Sequence, residues 1–185
     1  SPSGCLPGRD HLRWEMPPPD FALPVMDRSR TVRLTEEWQA RPHGVLIFGS
    51  YTDRRSRREV PELNRLYQSY QDRVTFYVVY IQEAHPTDLW QLPSNVTDGV
   101  LFASPRSDGK RTCTALAWMR NLNLRLPAVL DHIDNLTERA YTAWPDRMYL
   151  IDRKGRVAFK SAPGPYGFST PDREQSLREI TIAGT

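Results

Sequence analysis

The sequence has no long hydrophobic run and very little cysteine. No apolar stretch approaches the roughly 20 residues that a membrane-spanning helix needs, and residues 1–20 lack the apolar segment of a secretory signal. The two cysteines, Cys5 and Cys113, are too few and too far apart for a disulfide framework or a metal-ligand set. We therefore expect a cytoplasmic protein with no membrane partner.

Glycine-rich phosphate loops and spaced Cys/His sets are also missing, so we expect no cofactor and no metal ion. Charge is nearly balanced, with 25 basic and 22 acidic residues and a net charge of +3. The sharpest basic cluster, Arg54, Arg55, Arg57 and Arg58, has no aromatic stacking pattern beside it, and we expect no nucleic-acid partner. On a helix these four side chains would splay around the axis, which predicts that most of them are solvated.

Strand and helix patterns alternate along the chain. Gly44–Phe48 is short and apolar and predicts a buried strand, while residues 74–81 are β-branched and aromatic throughout, as in a central strand. Between them, apolar positions recur at helical spacing over residues 55–70. The same patterns predict helices over 108–123, 134–142 and 171–182, a strand over 127–130, and a hairpin with strands over 148–152 and 156–160.

This order of elements, a βαβ unit followed by a hairpin and a final helix, is that of an α/β thioredoxin-like fold with a central mixed sheet flanked by helices. Residues 1–18, rich in proline and glycine, predict a flexible N-terminal arm, and residues 19–185 a single domain of that fold. The segment from Trp90 to Asp108 has turn residues and little periodicity. A loop that long inside a compact domain is often a binding loop.

Three separated motifs resemble those of the iodothyronine deiodinase family. Phe48–Thr52 (FGSYT) is similar to the strand end that leads into the selenocysteine or cysteine of that family. Tyr80–Trp90 (YIQEAHPTDLW) is similar to its tyrosine–isoleucine–glutamate–glutamate–alanine–histidine stretch, and Trp144–Tyr149 (WPDRMY), with Gly164–Phe168 downstream, is the third match. With the entry segment Pro19–Pro24, the resemblance covers roughly residues 18 to 180 and implies a thioredoxin-like fold and a homodimer.

The resemblance places Asp53 at the position of the family's redox nucleophile. A carboxylate cannot pass through the selenenyl or sulfenyl states, which need a polarisable chalcogen, so we do not expect reductive removal of iodine by the family's route. Three further departures lie nearby. Arg54 and Arg55 stand in place of prolines, Gln82 in place of the first glutamate, and Leu89 in place of a glycine.

Asp53 follows a strand and precedes a helix, where free backbone N–H groups favour negative charge. Two interpretations stay open: a helix N-cap left after the redox chemistry was lost, or a general base or nucleophilic carboxylate. The resemblance adds Glu83 as a group that moves protons and His85 as a group that contacts substrate. It assigns Arg147 to the grip on the substrate's carboxylate, for which a structural ion pair is the alternative.

Arg54 and Arg55 lie at the mouth of the inferred site, where they would hold an anionic substrate. Tyr51, Trp90 and Trp144 are candidates for an aromatic lining, although each of them fits a core position equally well.

The sequence thus predicts a non-redox acid–base enzyme of cyclase, isomerase or hydrolase type, which acts on a small acidic or aromatic molecule through Asp53, Glu83 and His85. One alternative is a non-catalytic binding protein that kept the fold. The other is a residual thiol-dependent dehalogenase or peroxidase that uses Cys113 or an external thiol, although the sequence favours an inert core thiol for Cys113.

Overall fold

The computed structural model describes residues 12–41, 43–162 and 170–182. The strands are β1 Ala22–Pro24, β2 Thr31–Arg33, β3 Gly44–Gly49, β4 Thr75–Tyr80, β5 Ala128–Leu130, β6 Arg147–Ile151 and β7 Val157–Lys160. The helices are α1 Leu34–Ala40, α2 Arg54–Tyr70, α3 Pro93–Thr97, α4 Asp108–Asn121, α5 Leu136–Tyr141 and α6 Thr170–Ile182. Among these helices, none is both long enough and apolar enough to cross a membrane.

Five strands form one mixed sheet in the order β5-β4-β3-β6-β7. β3, β4 and β5 run parallel, and β6 runs antiparallel to β3, with Arg147 opposite Phe48. The carboxyl ends of the parallel strands and the first residue of β6 therefore meet at one edge of the sheet. The residues that follow β3 and β4 and precede β6 are brought together there.

Both faces of the sheet are buried, which explains why β3 and β4 are apolar throughout rather than alternating. Alternate residues of β4 belong to two different core clusters. Val78 lies in the cluster that contains residues of α2 and Trp118 of α4, and Val79 lies in the cluster that contains Leu34 of α1 and Tyr141 of α5. Leu177 places α6 on the same side as α2 and α4.

The predicted strands and helices are confirmed, with ends that shift by one or two residues. The sequence patterns did not predict four short elements: the two strands of the β1–β2 hairpin, α1 and α3. Because α3 lies within residues 90–108, the prediction of an unstructured loop over that whole segment is corrected. The hairpin meets the edge of the sheet through a bridge between Val25 and Val129. Strands of three residues and helices of five to seven are too short to display a hydrophobic period in sequence.

The described end of the predicted N-terminal arm runs along β7. The Glu15 N–H donates to the Val157 carbonyl and the Val157 N–H donates to the Met16 carbonyl, at 2.9 and 2.8 Å. Leu12 is buried, and its carbonyl accepts a hydrogen bond from Lys160. Residues 1–11 of the arm, with Cys5, and the motif segment 164–168 lie outside the described residues, so the arm's flexibility stays a prediction.

A buried carboxyl, Glu138, lies where α5 packs against the end of β4. Its Oε1 accepts a hydrogen bond from Gln82 Nε2 at 2.9 Å, and its Oε2 has no partner among the described residues. The Asp131 carboxylate accepts the backbone N–H of Glu138. Burial, with the nearby Asp131 charge, raises the pKa of Glu138 from 4.5 to about 7, because the charged form loses hydration that these contacts only partly replace.

We expect Gly44→Ala to destabilise the protein, because a Cβ at this central-strand position would overlap the ring of Trp38. Overpacking of this kind costs about 1–3 kcal/mol, measurable by urea unfolding. Gly109→Ala in α4 is the matched control, since the added methyl meets nothing closer than the Ser107 hydroxyl at 4.0 Å. The control should be neutral or stabilise by about 0.5–1 kcal/mol. Equal effects of the two changes would contradict the overlap.

The Glu138 carboxyl predicts stability that falls with rising pH. Its folded pKa lies above the unfolded value, so the native state binds more protons between pH 4.5 and about 7, and the free energy of unfolding decreases across that window. The free energy of unfolding should fall by an amount on the order of 3 kcal/mol across this window. Glu138→Gln should abolish this part of the pH dependence. Urea unfolding at pH 4.5, 6 and 8 measures both proteins. A smaller slope should persist in the variant, because burial also raises the pKa of Glu83. Identical slopes would refute the assignment to Glu138.

Candidate active-site cleft

The loops after β3 and β4 are tied together by a buried carboxylate. Glu83 Oε2 accepts hydrogen bonds from the Thr52 N–H at 2.9 Å and from the Thr52 hydroxyl at 2.6 Å, and Oε1 accepts one from the Tyr80 hydroxyl. The Thr52 hydroxyl in turn accepts the His85 N–H at 3.1 Å. Desolvation raises the pKa of Glu83, and the donors from Thr52 and Tyr80 oppose that rise. Glu83 thus holds Thr52, and with it the adjacent Asp53, in place.

A cleft of about 700 Å³ opens where these loops meet the start of β6. It contains five of the eight predicted site residues, namely Asp53, Arg54, Arg55, His85 and Trp90. The remaining lining residues are Arg58, Glu59, Leu92, Trp144, Pro145 and Asp146.

Asp53 is the N-cap of α2. Its Oδ2 accepts the backbone N–H of Ser56 at 2.8 Å and the Ser56 hydroxyl at 2.6 Å. Its Oδ1 has no hydrogen-bond donor among the described residues, and the side chain lines the cleft although the residue is only 8% exposed. The structure therefore combines the capping contact with a carboxylate oxygen that remains available.

His85 is oriented by a backbone carbonyl. Its Nδ1 lies 3.1 Å from the Trp90 carbonyl oxygen, which only accepts, so the neutral ring carries its proton on Nδ1. This leaves the lone pair on Nε2. The imidazole also packs edge-on against the Trp90 ring, with centroids 5.2 Å apart. This geometry selects the His85 tautomer that carries its proton on Nδ1, and imidazole is a group suited to proton transfer.

The arginine cluster divides into exposed and paired members. Arg54 and Arg58 are exposed, and neither guanidinium has a hydrogen bond or ion pair with the described residues. Arg55 pairs with Glu59 at 2.8 Å and with Asp146 at 3.4 Å. Arg57 is buried and donates to the Tyr51 carbonyl and to Asp98, which corrects the expectation that most of the cluster is solvated.

Three predicted site residues lie outside the cleft. Glu83 is buried behind Thr52, as described above. Tyr51 is buried against Phe102, and its hydroxyl accepts a hydrogen bond from Asn121. Arg147 is buried and donates from Nε to the Ser161 carbonyl at 3.0 Å and from Nη1 to the Thr142 carbonyl at 2.9 Å. The roles that the sequence predicts for these three residues stay predictions.

Cys113 is exposed, so the expectation of a core thiol is wrong. It lines a separate groove of about 630 Å³ with Arg106 and Lys110, and Asp53 does not belong to that groove. In the described part of the chain, no three His, Cys, Asp or Glu side chains are grouped so that they could hold a metal ion.

Sequence reasoning missed two residues that shape the site. Thr52 carries the hydrogen bonds that join the two loops, and Asn95 of α3 donates from Nδ2 to the Thr52 carbonyl at 2.9 Å. The spacing of Ser56 three positions after Asp53 was a readable capping signal. No pattern in the sequence points to Asn95, because its partner lies more than 40 positions away.

The fold resembles that of thiol–disulfide exchange proteins. The crystal structure of a putative thiol:disulfide interchange protein DsbE from Chlorobium tepidum matches with a TM-score of 0.61 and 19% identity, over 93% of this chain and 97% of that one. The solution structure of a putative protein disulfide isomerase from Bacteroides thetaiotaomicron matches with a TM-score of 0.67 and 18% identity, over 93% and 92%. These likenesses confirm the thioredoxin-like α/β fold.

Comparison with known sequences is more specific than comparison of folds, because it identifies a family. A family model described as iodothyronine deiodinase matches residues 19–180. Type I iodothyronine deiodinase of Xenopus laevis is 32% identical over 135 residues, 73% of this chain and 51% of that protein. Thyroxine 5-deiodinase of Sparus aurata is 28% identical over 166 residues, 87% and 58%. The chain thus spans between half and three-fifths of the length of these relatives. Since the family model covers most of the chain and these relatives agree with it, the protein belongs to the iodothyronine deiodinase family.

Proposed function

We propose that this chain is a non-redox acid–base enzyme, of cyclase, isomerase or hydrolase type, that acts on a small aromatic anion. One observation carries the proposal: the cleft is lined by Asp53 and His85, two proton-transfer groups, together with two exposed tryptophans and two exposed arginines. The proposal also takes Asp53 to stand at the family's nucleophile position, as the sequence resemblance implies. A carboxylate there has no selenenyl or sulfenyl state, so the redox route of the family would not operate.

Asp53 acts as the general base in this proposal. The two hydrogen bonds from Ser56 to Oδ2 hold the carboxylate in one orientation and leave Oδ1 to accept the substrate's proton. A positioned carboxylate costs no reorganisation at the moment of reaction.

His85 completes the pair. With Nδ1–H bound to the Trp90 carbonyl, Nε2 is the atom that takes up or returns a proton. Glu83 is a positioning residue rather than a direct participant, because its oxygens are occupied by Thr52 and Tyr80.

The lining supports an aromatic anion as the substrate. Trp90 and Trp144 are 71% and 45% exposed, which is unusual for tryptophan and offers two flat apolar surfaces. Arg54 and Arg58 supply the positive charge, since they lack partners among the described residues and guanidinium groups bind carboxylates in a planar fork.

The second candidate function is a binding protein without catalysis. The capping contact favours this alternative: the Asp53 carboxylate accepts the Ser56 N–H and so stabilises the start of α2, which explains its presence without any catalytic role. The two functions make different demands on Asp53, so one substitution distinguishes them.

We expect Asp53→Asn to leave the melting temperature nearly unchanged and to lower turnover by roughly 10²–10⁴-fold. The amide oxygen still accepts the Ser56 N–H, but the amide cannot take a proton. Turnover is followed by proton NMR in deuterium oxide with a panel of aryl carboxylates, aryl 2-oxo acids and their esters, in which exchange, rearrangement or hydrolysis are all visible. Ser56→Ala is the control that weakens the cap and keeps the carboxylate.

Full turnover in the Asp53→Asn variant would reduce Asp53 to a helix cap. If the wild-type protein turns over none of the panel while still binding its members, the binding-protein alternative is correct.

The exposed arginines predict weaker binding of aryl anions when they are neutralised. Arg54→Gln and Arg58→Gln should each weaken 1-naphthoate binding about fivefold, the share of a solvent-exposed charge pair of about 1 kcal/mol. Tryptophan fluorescence or titration calorimetry at low salt measures the affinity. Arg120→Gln is the control, because Arg120 is exposed on α4 and does not line the cleft. Equal affinities of all three variants would show that the cleft does not select anions.

A further inference from the structure

A small cavity lies behind the wall of the cleft. Its volume is about 20 Å³, and it shares Arg55, Glu59 and Asp146 with the cleft, so these three side chains form the partition between the two spaces. A space of this size accommodates one water-sized particle and excludes polyatomic ligands.

The lining of this cavity is rich in arginine, and two of its three arginines, Arg147 and Arg173, are buried. Three guanidinium groups, those of Arg55, Arg147 and Arg173, face two carboxylates, those of Glu59 and Asp146. Arg173 is only 3% exposed, and its Nη2 shares Glu59 Oε1 with Arg55. Positive charge therefore exceeds negative charge in a space that is largely shielded from water.

Two of the buried side chains around the cavity have hydrogen-bond donors that lack acceptors. Trp118, 1% exposed, has no partner for its indole Nε1–H among the described residues. The same is true of Nε and Nη1 of Arg173. Burying a donor without an acceptor is unfavourable, and three such donors on residues that line one cavity indicate that an acceptor belongs there.

The nature of the missing acceptor follows from these groups. Indole and guanidinium nitrogens donate and never accept. A water molecule can accept from them and donate its own protons to Glu59 or Asp146, but it does not compensate the excess positive charge. A monatomic anion accepts from these donors and also compensates that charge. A cation is disfavoured by the three guanidinium groups.

We propose that this cavity is a binding site for a monatomic anion of chloride size, with Trp118 Nε1–H and the Arg173 guanidinium as its direct ligands. The anion enters from the cleft past the ion pairs of Arg55 with Glu59 and Asp146. It joins α4 and α6, because its two ligands, Trp118 and Arg173, lie on these helices. The site does not depend on the acid–base function proposed for the cleft.

The test compares the melting temperature in sodium chloride and sodium bromide with that in sodium gluconate at equal ionic strength. Both halides should raise the melting temperature in a saturable manner that gluconate, too large for the cavity, does not reproduce. Trp118→Phe, which removes the donor and keeps most of the ring, and Arg173→Gln should each weaken the halide effect tenfold or more. Arg178→Gln, an exposed position on the same helix, is the matched control and should leave it intact.

A second measurement needs no variant and so stands even if Trp118→Phe does not fold. Crystals of the wild-type protein grown with bromide should show an anomalous peak between Trp118 and Arg173. The proposal is overturned if halides and gluconate act alike on the wild-type protein, or if the peak is absent and the cavity holds water.

Discussion

The buried carboxylate of Glu83 is the contact on which the site depends. It accepts both donors of Thr52 and the hydroxyl of Tyr80, and so joins the loop after β3 to the end of β4. Thr52 in turn accepts the His85 N–H, and Asn95 donates to the Thr52 carbonyl. Removing this acceptor from such a network would leave several buried donors unsatisfied. The positions of Asp53 and His85 thus follow from a residue that does not line the cleft.

Charge is arranged around this site in two layers. On the surface, Arg54 and Arg58 give the rim of the cleft a positive field. Beneath it, Arg55 and Arg173 share Glu59, and Arg147 is held by backbone carbonyls. Arginine suits both layers, because its planar guanidinium binds several acceptors at once and stays charged when buried. The near-neutral total charge of the chain conceals this local concentration.

Particular elements show why parts of the fold and site were predictable. β4 was readable because six consecutive buried residues require β-branched and aromatic side chains, and α2 because its buried positions recur every three or four residues. α3 was not, since five residues contain too little pattern. Cys113 was expected in the core and is exposed, whereas Arg57 was expected to be solvated and is buried. Both predictions failed for the same reason: exposure depends on which neighbours cover a helix face, and the identity of a single residue does not reveal those neighbours.

The sequence by itself determined the alternation of strands and helices, the thioredoxin-like order, the family, and Asp53 as the residue between β3 and α2. Hydrophobic period and short motifs are local properties, and a chain carries them before it folds. The tertiary structure alone decided that Trp90 and Trp144 face the same cleft, that Tyr51 and Arg147 are buried elsewhere, and that Trp118 and Arg173 meet at a shared cavity. Those pairings join residues separated by tens of positions, and only the packing of the sheet and its helices brings them to the same cleft or cavity.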